Sequence, residues 1–123
     1  MAKNPAMREV YGETLVQLGK DLKNLVVLDA DVSHSTRTFY FAQAFPDRFF
    51  NVGIAEANMM SMAAGFAAGG MLPFVNTFSF LATLRAADPV RSLIAYNKLN
   101  VKIAGNYAGL SDSYDGASHQ SLK

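Results

Sequence analysis

Apolar side chains at Met7, Tyr11, Leu15, Leu18 and Leu22 recur at helical spacing behind Pro5, which predicts an amphipathic helix ending near Lys23. After Asn24 the pattern changes. Leu25-Val26-Val27-Leu28 is a continuous apolar run closed by Asp29-Ala30-Asp31, the signature of a parallel strand covered on both faces, with acids at its carboxyl end. Residues 36–45 read as a short aromatic-rich helix or irregular turn closed by Pro46-Asp47, and 49–52 as a second short strand. A helix starts at Glu56, and its small residues Ala57, Ser61, Ala64, Gly65 and Ala68 form a smooth stripe that admits another backbone closely. Gly65 and Gly69 complete a GxxxG spacing, read here as tight helix packing in the core or across a dimer interface. A third strand over 72–75, a long helix over 80–96 and a fourth strand over 99–104 follow. This alternation predicts the α/β class, a parallel sheet with helices on both faces. Beyond Ile103 the chain turns to Gly, Asn, Ser, Asp and Tyr and reaches Lys123 without a closing helix, so the expectation is one domain over residues 1–123 that stops short of its own end.

Composition narrows the picture without adding an element. A length of 123 residues suits one folding unit, and half of the residues are apolar against 17% charged, which excludes a disordered chain. The net charge is +1 with basic residues scattered, so there is no electrostatic footprint for nucleic acid or an anionic membrane. There is no cysteine for a disulfide or a thiolate zinc site, and Met1-Ala2-Lys3-Asn4-Pro5 lacks the apolar core of a secretory signal. The expected compartment is the cytoplasm. Residues 57–84 carry no charge and exceed the roughly 20 residues that cross a bilayer. Gly69-Gly70, Pro73 and Asn76-Thr77 interrupt that stretch, which makes it a buried helix, a turn and a buried strand, with no membrane span.

Glu56 is the chemically unusual residue, a carboxylate directly after a strand and at the head of an almost wholly apolar helix. Acids in a first turn gain about 0.3–1 kcal/mol from the helix dipole, so capping alone accounts for one there. Carboxylates in apolar surroundings also cluster at active sites. The residues by themselves leave both readings open. The same holds elsewhere. Asp31 ending a strand is commonly a turn or cap residue, aromatics such as Phe78 and Phe80 after a strand are commonly core, His119 alone is a loop histidine, and Arg8 and Ser35 suit a surface.

The segment Gly53-Ile54-Ala55-Glu56-Ala57-Asn58-Met59 resembles the glutamate motif of transketolases. Asp115-Gly116-Ala117-Ser118-His119-Gln120 resembles that family's Asp-Gly-x-x-His-Gln loop, and Thr77-Phe78 the start of its aromatic cofactor pocket. The resemblance runs from about Met7 to the end and implies the pyrimidine-binding domain of a thiamine diphosphate enzyme. It gives Glu56 a hydrogen bond to a pyrimidine ring nitrogen, favouring the imino tautomer that removes the thiazolium proton to form the ylid. It gives His119 the proton movements of carbon–carbon cleavage, Asp115 a sugar hydroxyl, Arg8 and Ser35 the sugar phosphate, and Asp31 a place near the thiazolium. The ring-stacking aromatic of the family is replaced by Leu81, with Phe80 one position early, so the pocket is expected from Phe78, Phe80 and Leu81. Tyr107 stands where many transketolases have a phosphate-binding histidine, and His34 before Ser35 is a further departure, which opens the acceptor to something other than the usual pentose or tetrose phosphate.

The Gly-Asp-Gly…Asn motif for metal and diphosphate is absent from the sequence, so no metal site is assigned to this chain. Thiamine diphosphate and Mg2+ (or Ca2+) are expected to be held by a diphosphate-binding partner domain or subunit, in a homodimer or heterotetramer. The implied activity is transfer of a two-carbon ketol unit from a ketose to an aldose. The alternatives are a deoxyxylulose phosphate synthase, the beta subunit of an oxo-acid dehydrogenase, or a non-catalytic interaction module.

Overall fold

Four parallel strands form one sheet in the order β2-β1-β3-β4, where β1 is Leu25–Asp29, β2 Phe49–Asn51, β3 Leu72–Phe78 and β4 Lys102–Asn106. The architecture is taken from a computed structural model that describes residues 4–112 and 114–122. Residues 1–3 and Lys123, which entered the reading of the chain's ends, lie outside the described residues. Register is set by β1 at the centre: Val27 pairs with Phe49 on one side and with Phe74 on the other, and Asp29 lies level with Asn51 and Asn76. Because all strands are parallel, their carboxyl ends share one edge of the sheet.

Alternation along β1 divides the core into two layers. Leu25 and Val27 pack with Leu15 of α1 (Met7–Asp21) and Phe41 of α3 (Phe39–Ala44). Val26, Leu28 and Ala30 pack on the other face with Met59, Met60 and Ala63 of α4 (Glu56–Ala68) and with Ala82, Ala86 and Ile94. A strand buried on both faces has no polar side to show, which is why its sequence is a continuous apolar run. Gly12 lets α1 approach closely: a Cβ there would lie 2.6 Å from the Arg37 carbonyl oxygen and 2.7 Å from the Tyr40 ring.

Three expectations need correction. The helix expected over 80–96 is not regular: wide π-type turns over Leu81–Arg85 and Val90–Ala95 flank a single α-helical turn, α5 (Ala87–Pro89). Ala86 donates its N–H five residues back to Leu81 (3.1 Å) and Tyr96 to Arg91 (3.0 Å), while Pro89 has no N–H to continue an α-helical ladder. The fourth strand starts at Lys102, not at 99, because Lys98 is left-handed (φ 53°) and the Val101 N–H turns back to the Leu99 carbonyl (3.0 Å). β3 runs on to Phe78 since Asn76, Thr77 and Phe78 each find a partner on β4.

Candidate active site at the carboxyl edge of the sheet

Ligands of open α/β sheets bind beyond the carboxyl ends of the strands, and here that edge is built from the segments after β1, β2, β3 and β4. The segment after β1 is held by Asp29, which is completely buried. One carboxylate oxygen accepts the Val32 N–H (2.6 Å), the other the hydroxyls of Thr36 (2.9 Å) and Thr38 (2.7 Å). Burial pushes the Asp29 carboxyl above its ordinary range, against the pull of those three donors. The staple fixes the turn that carries Asp31 and α2 (Ser33–Thr36), and hence Ser35. Asp31 is exposed and left-handed (φ 64°), and its carboxylate accepts from Asn51 Nδ2 (3.0 Å), tying the end of β1 to the end of β2.

Beneath this turn Tyr11 of α1 donates its hydroxyl to Asn76 Oδ1, and Asn76 Nδ2 donates to the Leu28 carbonyl (3.0 Å). Burial raises the Tyr11 phenol well above its usual pKa, with a smaller contribution from Asp29, so it acts as a fixed donor.

Glu56 opens α4 and is 1% exposed. Its carboxylate meets Arg85, whose Nη1 lies 3.2 Å from one oxygen and 3.4 Å from the other. Among the described residues that guanidinium is its one hydrogen-bond donor. The buried Thr77 hydroxyl at the end of β3 has no partner among the described residues.

Tyr107, left-handed at φ 57° just after β4, gathers three of the residues singled out in the sequence, and one of these, Phe78, brings in a fourth. Arg8 donates to its hydroxyl, and that hydroxyl donates to the Ser35 carbonyl (3.3 Å). The Phe78 ring meets Tyr107 edge-on at 5.2 Å and His119 at 5.5 Å. His119 is oriented by a hydrogen bond between its Nδ1 and the Ser118 hydroxyl (2.8 Å), and Asp115 is exposed on the same loop. Arg8, Ser35, Phe78 and His119 therefore form one group. Phe80 does not join it: with Thr83, Leu84, Ala117, Gln120, Ser121 and Leu122 it lines a separate cavity of about 360 Å³. Leu81 is buried one turn before Arg85, in the segment that packs on α4.

These residues fit the pyrimidine half of thiamine diphosphate. A buried carboxylate suits a ring nitrogen, and the Thr77 hydroxyl at the end of β3, without a partner among the described residues, is a further polar atom at this edge. Among the described residues there is no group of three or more His, Cys, Asp or Glu that could hold a metal ion. No helix among them is long and apolar enough to cross a membrane.

Fold and site together define a parallel α/β domain that presents a buried acid at its ligand-binding edge. The chain belongs to the family described as transketolase, pyrimidine binding domain, which it matches over residues 3–123. It is 57% identical over 114 residues to a Methanocaldococcus jannaschii protein that carries the name transketolase C-terminal section, covering 93% of this chain and 36% of that one. It is 37% identical to a 6-deoxy-6-sulfo-D-fructose transketolase subunit of Clostridium sp. strain MSTE9, covering 95% and 36%. It is 38% identical to the 1-deoxy-D-xylulose-5-phosphate synthase of Dictyoglomus thermophilum, covering 98% and 19%. Among solved structures it superposes on a split-gene transketolase described as an inactive β4 tetramer, with a TM-score of 0.78, 54% identity, and 92% and 36% of the two chains covered. The chain thus spans about a third or less of the length of these relatives.

Sequence reasoning missed Asp29 with its two threonines, and it missed Arg85. A signal for Arg85 was present, since the uncharged stretch 57–84 is bracketed by Glu56 and Arg85, and these two charges are the ones that pair.

Proposed function

We propose that this chain is the pyrimidine-binding part of a transketolase-like transferase, active when a diphosphate-binding domain or subunit docks against the carboxyl edge of its sheet. The observation that carries this reading is Glu56, a buried carboxylate heading an apolar helix at the ligand-binding edge of a domain in this family. Thiamine diphosphate, when bound, supplies the electron sink that lets the bond next to a ketose carbonyl break. Glu56 holds a proton on a pyrimidine ring nitrogen, and the apolar side chains of α4 keep water from that hydrogen bond. His119 moves protons to and from sugar oxygens, a task suited to an imidazole, and the Ser118 hydroxyl on Nδ1 leaves Nε2 for that work. Asp115 reads a sugar hydroxyl. Arg8 and Ser35 hold the terminal anion of the sugar, with the guanidinium offering a charge-assisted fork. Mg2+ (or Ca2+) belongs to the partner's half, which carries the diphosphate, and the assembly is a homodimer or heterotetramer working in the cytoplasm. The relative described as an inactive tetramer of its β chain supports the need for such a partner.

The test combines this chain with a candidate diphosphate-binding subunit, thiamine diphosphate and Mg2+, and follows transfer of the two-carbon unit from hydroxypyruvate to an aldose phosphate. Transfer is expected, with a loss of about 10²–10⁴-fold in Glu56→Ala. Undiminished activity in that variant would refute the catalytic reading and leave an interaction module. A second reading, a synthase that starts by decarboxylating pyruvate, is favoured by the relative of that kind and would be recognised by pyruvate consumption without ketol transfer.

A further inference from the structure

Arg85 has no part in the function proposed above, yet it holds the residue on which that function turns. The contact has three features. It engages one guanidinium nitrogen with both Glu56 oxygens, at 3.2 and 3.4 Å, longer than the roughly 2.7–2.9 Å of a well-made charge-assisted bond. The Arg85 side chain is 54% exposed while that of Glu56 is 1% exposed, so one partner is anchored and the other reaches in from solvent. Arg85 also ends a wide π-type turn, the local distortion that accompanies functional positions in helices.

We infer that Arg85 is a positioning residue that occupies the Glu56 carboxylate in the cofactor-free protein and swings out to solvent when the pyrimidine ring arrives. The inference rests on Glu56 being the pyrimidine-binding acid. A buried carboxylate without a partner is costly, so the unloaded protein needs a counter-ion there. A pyrimidine ring nitrogen is itself an acceptor and bonds to the glutamate only through a shared proton. A guanidinium directed at both oxygens occupies their lone pairs, so it competes with that bond. Asp88, exposed three residues further along the segment, is an anion within the spacing that Arg85 can reach once released.

Competition of this kind lowers apparent affinity by the fraction of molecules in which the site is free. A pair closed nine times in ten weakens cofactor binding about tenfold. Arg85→Met in the assembled enzyme should therefore bind thiamine diphosphate about three- to tenfold more tightly in calorimetric titration, while the melting temperature of the cofactor-free chain falls. Arg85→Lys should lie between. The double variant Arg85→Met, Glu56→Gln should recover most of the lost melting temperature, because the amide removes the charge that Arg85 balanced. Weaker cofactor binding in Arg85→Met, with the wild-type assembly binding normally, would overturn the inference, since an arginine that merely supports the site gives that result. Absence of any coupling between positions 56 and 85 in the cofactor-free chain would overturn it as well. If the wild-type assembly itself binds no thiamine diphosphate, the proposed function falls and takes this inference with it, whatever the coupling.

Discussion

Asp29→Ala should destabilise the domain more than Asp29→Asn does. The carboxylate is fully buried and serves three donors, the Val32 N–H and the hydroxyls of Thr36 and Thr38. In the alanine variant the Thr36 hydroxyl retains the Val32 carbonyl at 3.2 Å and the Thr38 hydroxyl can turn to Thr36 across 3.0 Å, so the loss falls on the Val32 N–H. At about 1–3 kcal/mol for a stranded donor, with the lost packing of the side chain set against removal of a charge that burial disfavours, the net cost is about 1–3 kcal/mol. In the asparagine variant Oδ1 still accepts from Val32, and Nδ2 donates to the threonine oxygens. The hydroxyls then reverse, Thr38 donating to Thr36 across 3.0 Å and Thr36 to Val32. The cost is about 1 kcal/mol or less. The pH dependence has a definite sign. The folded-state pKa of Asp29 lies above its unfolded value, so the protonated group contributes stability at acid pH, and that contribution is lost as pH rises through the folded pKa. Asp29→Asn cannot lose it, so its stability relative to wild type should improve as pH is raised from about 4 toward neutrality. Thermal melts of the three proteins at several pH values measure this, at about 4 °C per kcal/mol. If asparagine proves as damaging as alanine at neutral pH, the requirement is for charge and the hydrogen-bond account is wrong.

Gly12→Ala should cost about 1–3 kcal/mol, because the added Cβ meets the Arg37 carbonyl at 2.6 Å; an unchanged denaturation midpoint would show that α1 is free to shift. Tyr11→Phe strands Asn76 Oδ1 beneath the site and should lower stability by about 1–2 kcal/mol in the same assay. Glu56→Asp shortens the side chain by about 1.5 Å, enough to break a hydrogen bond of normal length, so ketol transfer by the assembly should fall by about 10²-fold or more. Tyr107→Phe removes the hydroxyl that engages Arg8, and KM for an acceptor with a terminal phosphate or sulfonate should fall about three- to tenfold with kcat unchanged; a rise in KM would place the hydroxyl on the substrate itself.

The layers of the fold were legible because burial leaves a direct mark on the residues. The run at 25–28 had to be apolar to sit inside a sheet covered on both sides, and α4 shows its buried nature in residues 57–68. The helix over 80–96 failed because apolar spacing reports which face is buried but does not report the pitch. A wide turn and an α-helical turn bury similar stripes, and only Pro89 hinted at the difference. The fourth strand was placed early since Leu99 and Val101 pack on the core from a loop, which a sequence pattern does not distinguish from a strand.

The site divides along a similar line. Glu56 was legible as an anomaly, a charge where everything after it is apolar, whereas Arg8, Ser35, Phe78 and His119 were singled out through the resemblance to transketolases, since each by itself suits a surface, a core or a loop. Asp29 was not, for the opposite reason: its carboxylate is satisfied by hydroxyls and an N–H three to nine residues away, and such local bonds leave no trace beyond ordinary turn composition. Arg85 lies between these cases. An uncharged stretch long enough to run through α4, β3 and the first wide turn must place its two flanking charges at or near the solvent boundary of the core, and a parallel connection returns both to the same edge. Glu56 opens the stretch and Arg85 closes it, so their pairing follows from topology as much as from chemistry. A charge forced to the rim of a buried site by its sequence neighbours can be withdrawn without disturbing the core, while the charge at the head of the helix cannot. That asymmetry is why the glutamate serves as the fixed element of this site and the arginine as the one that yields.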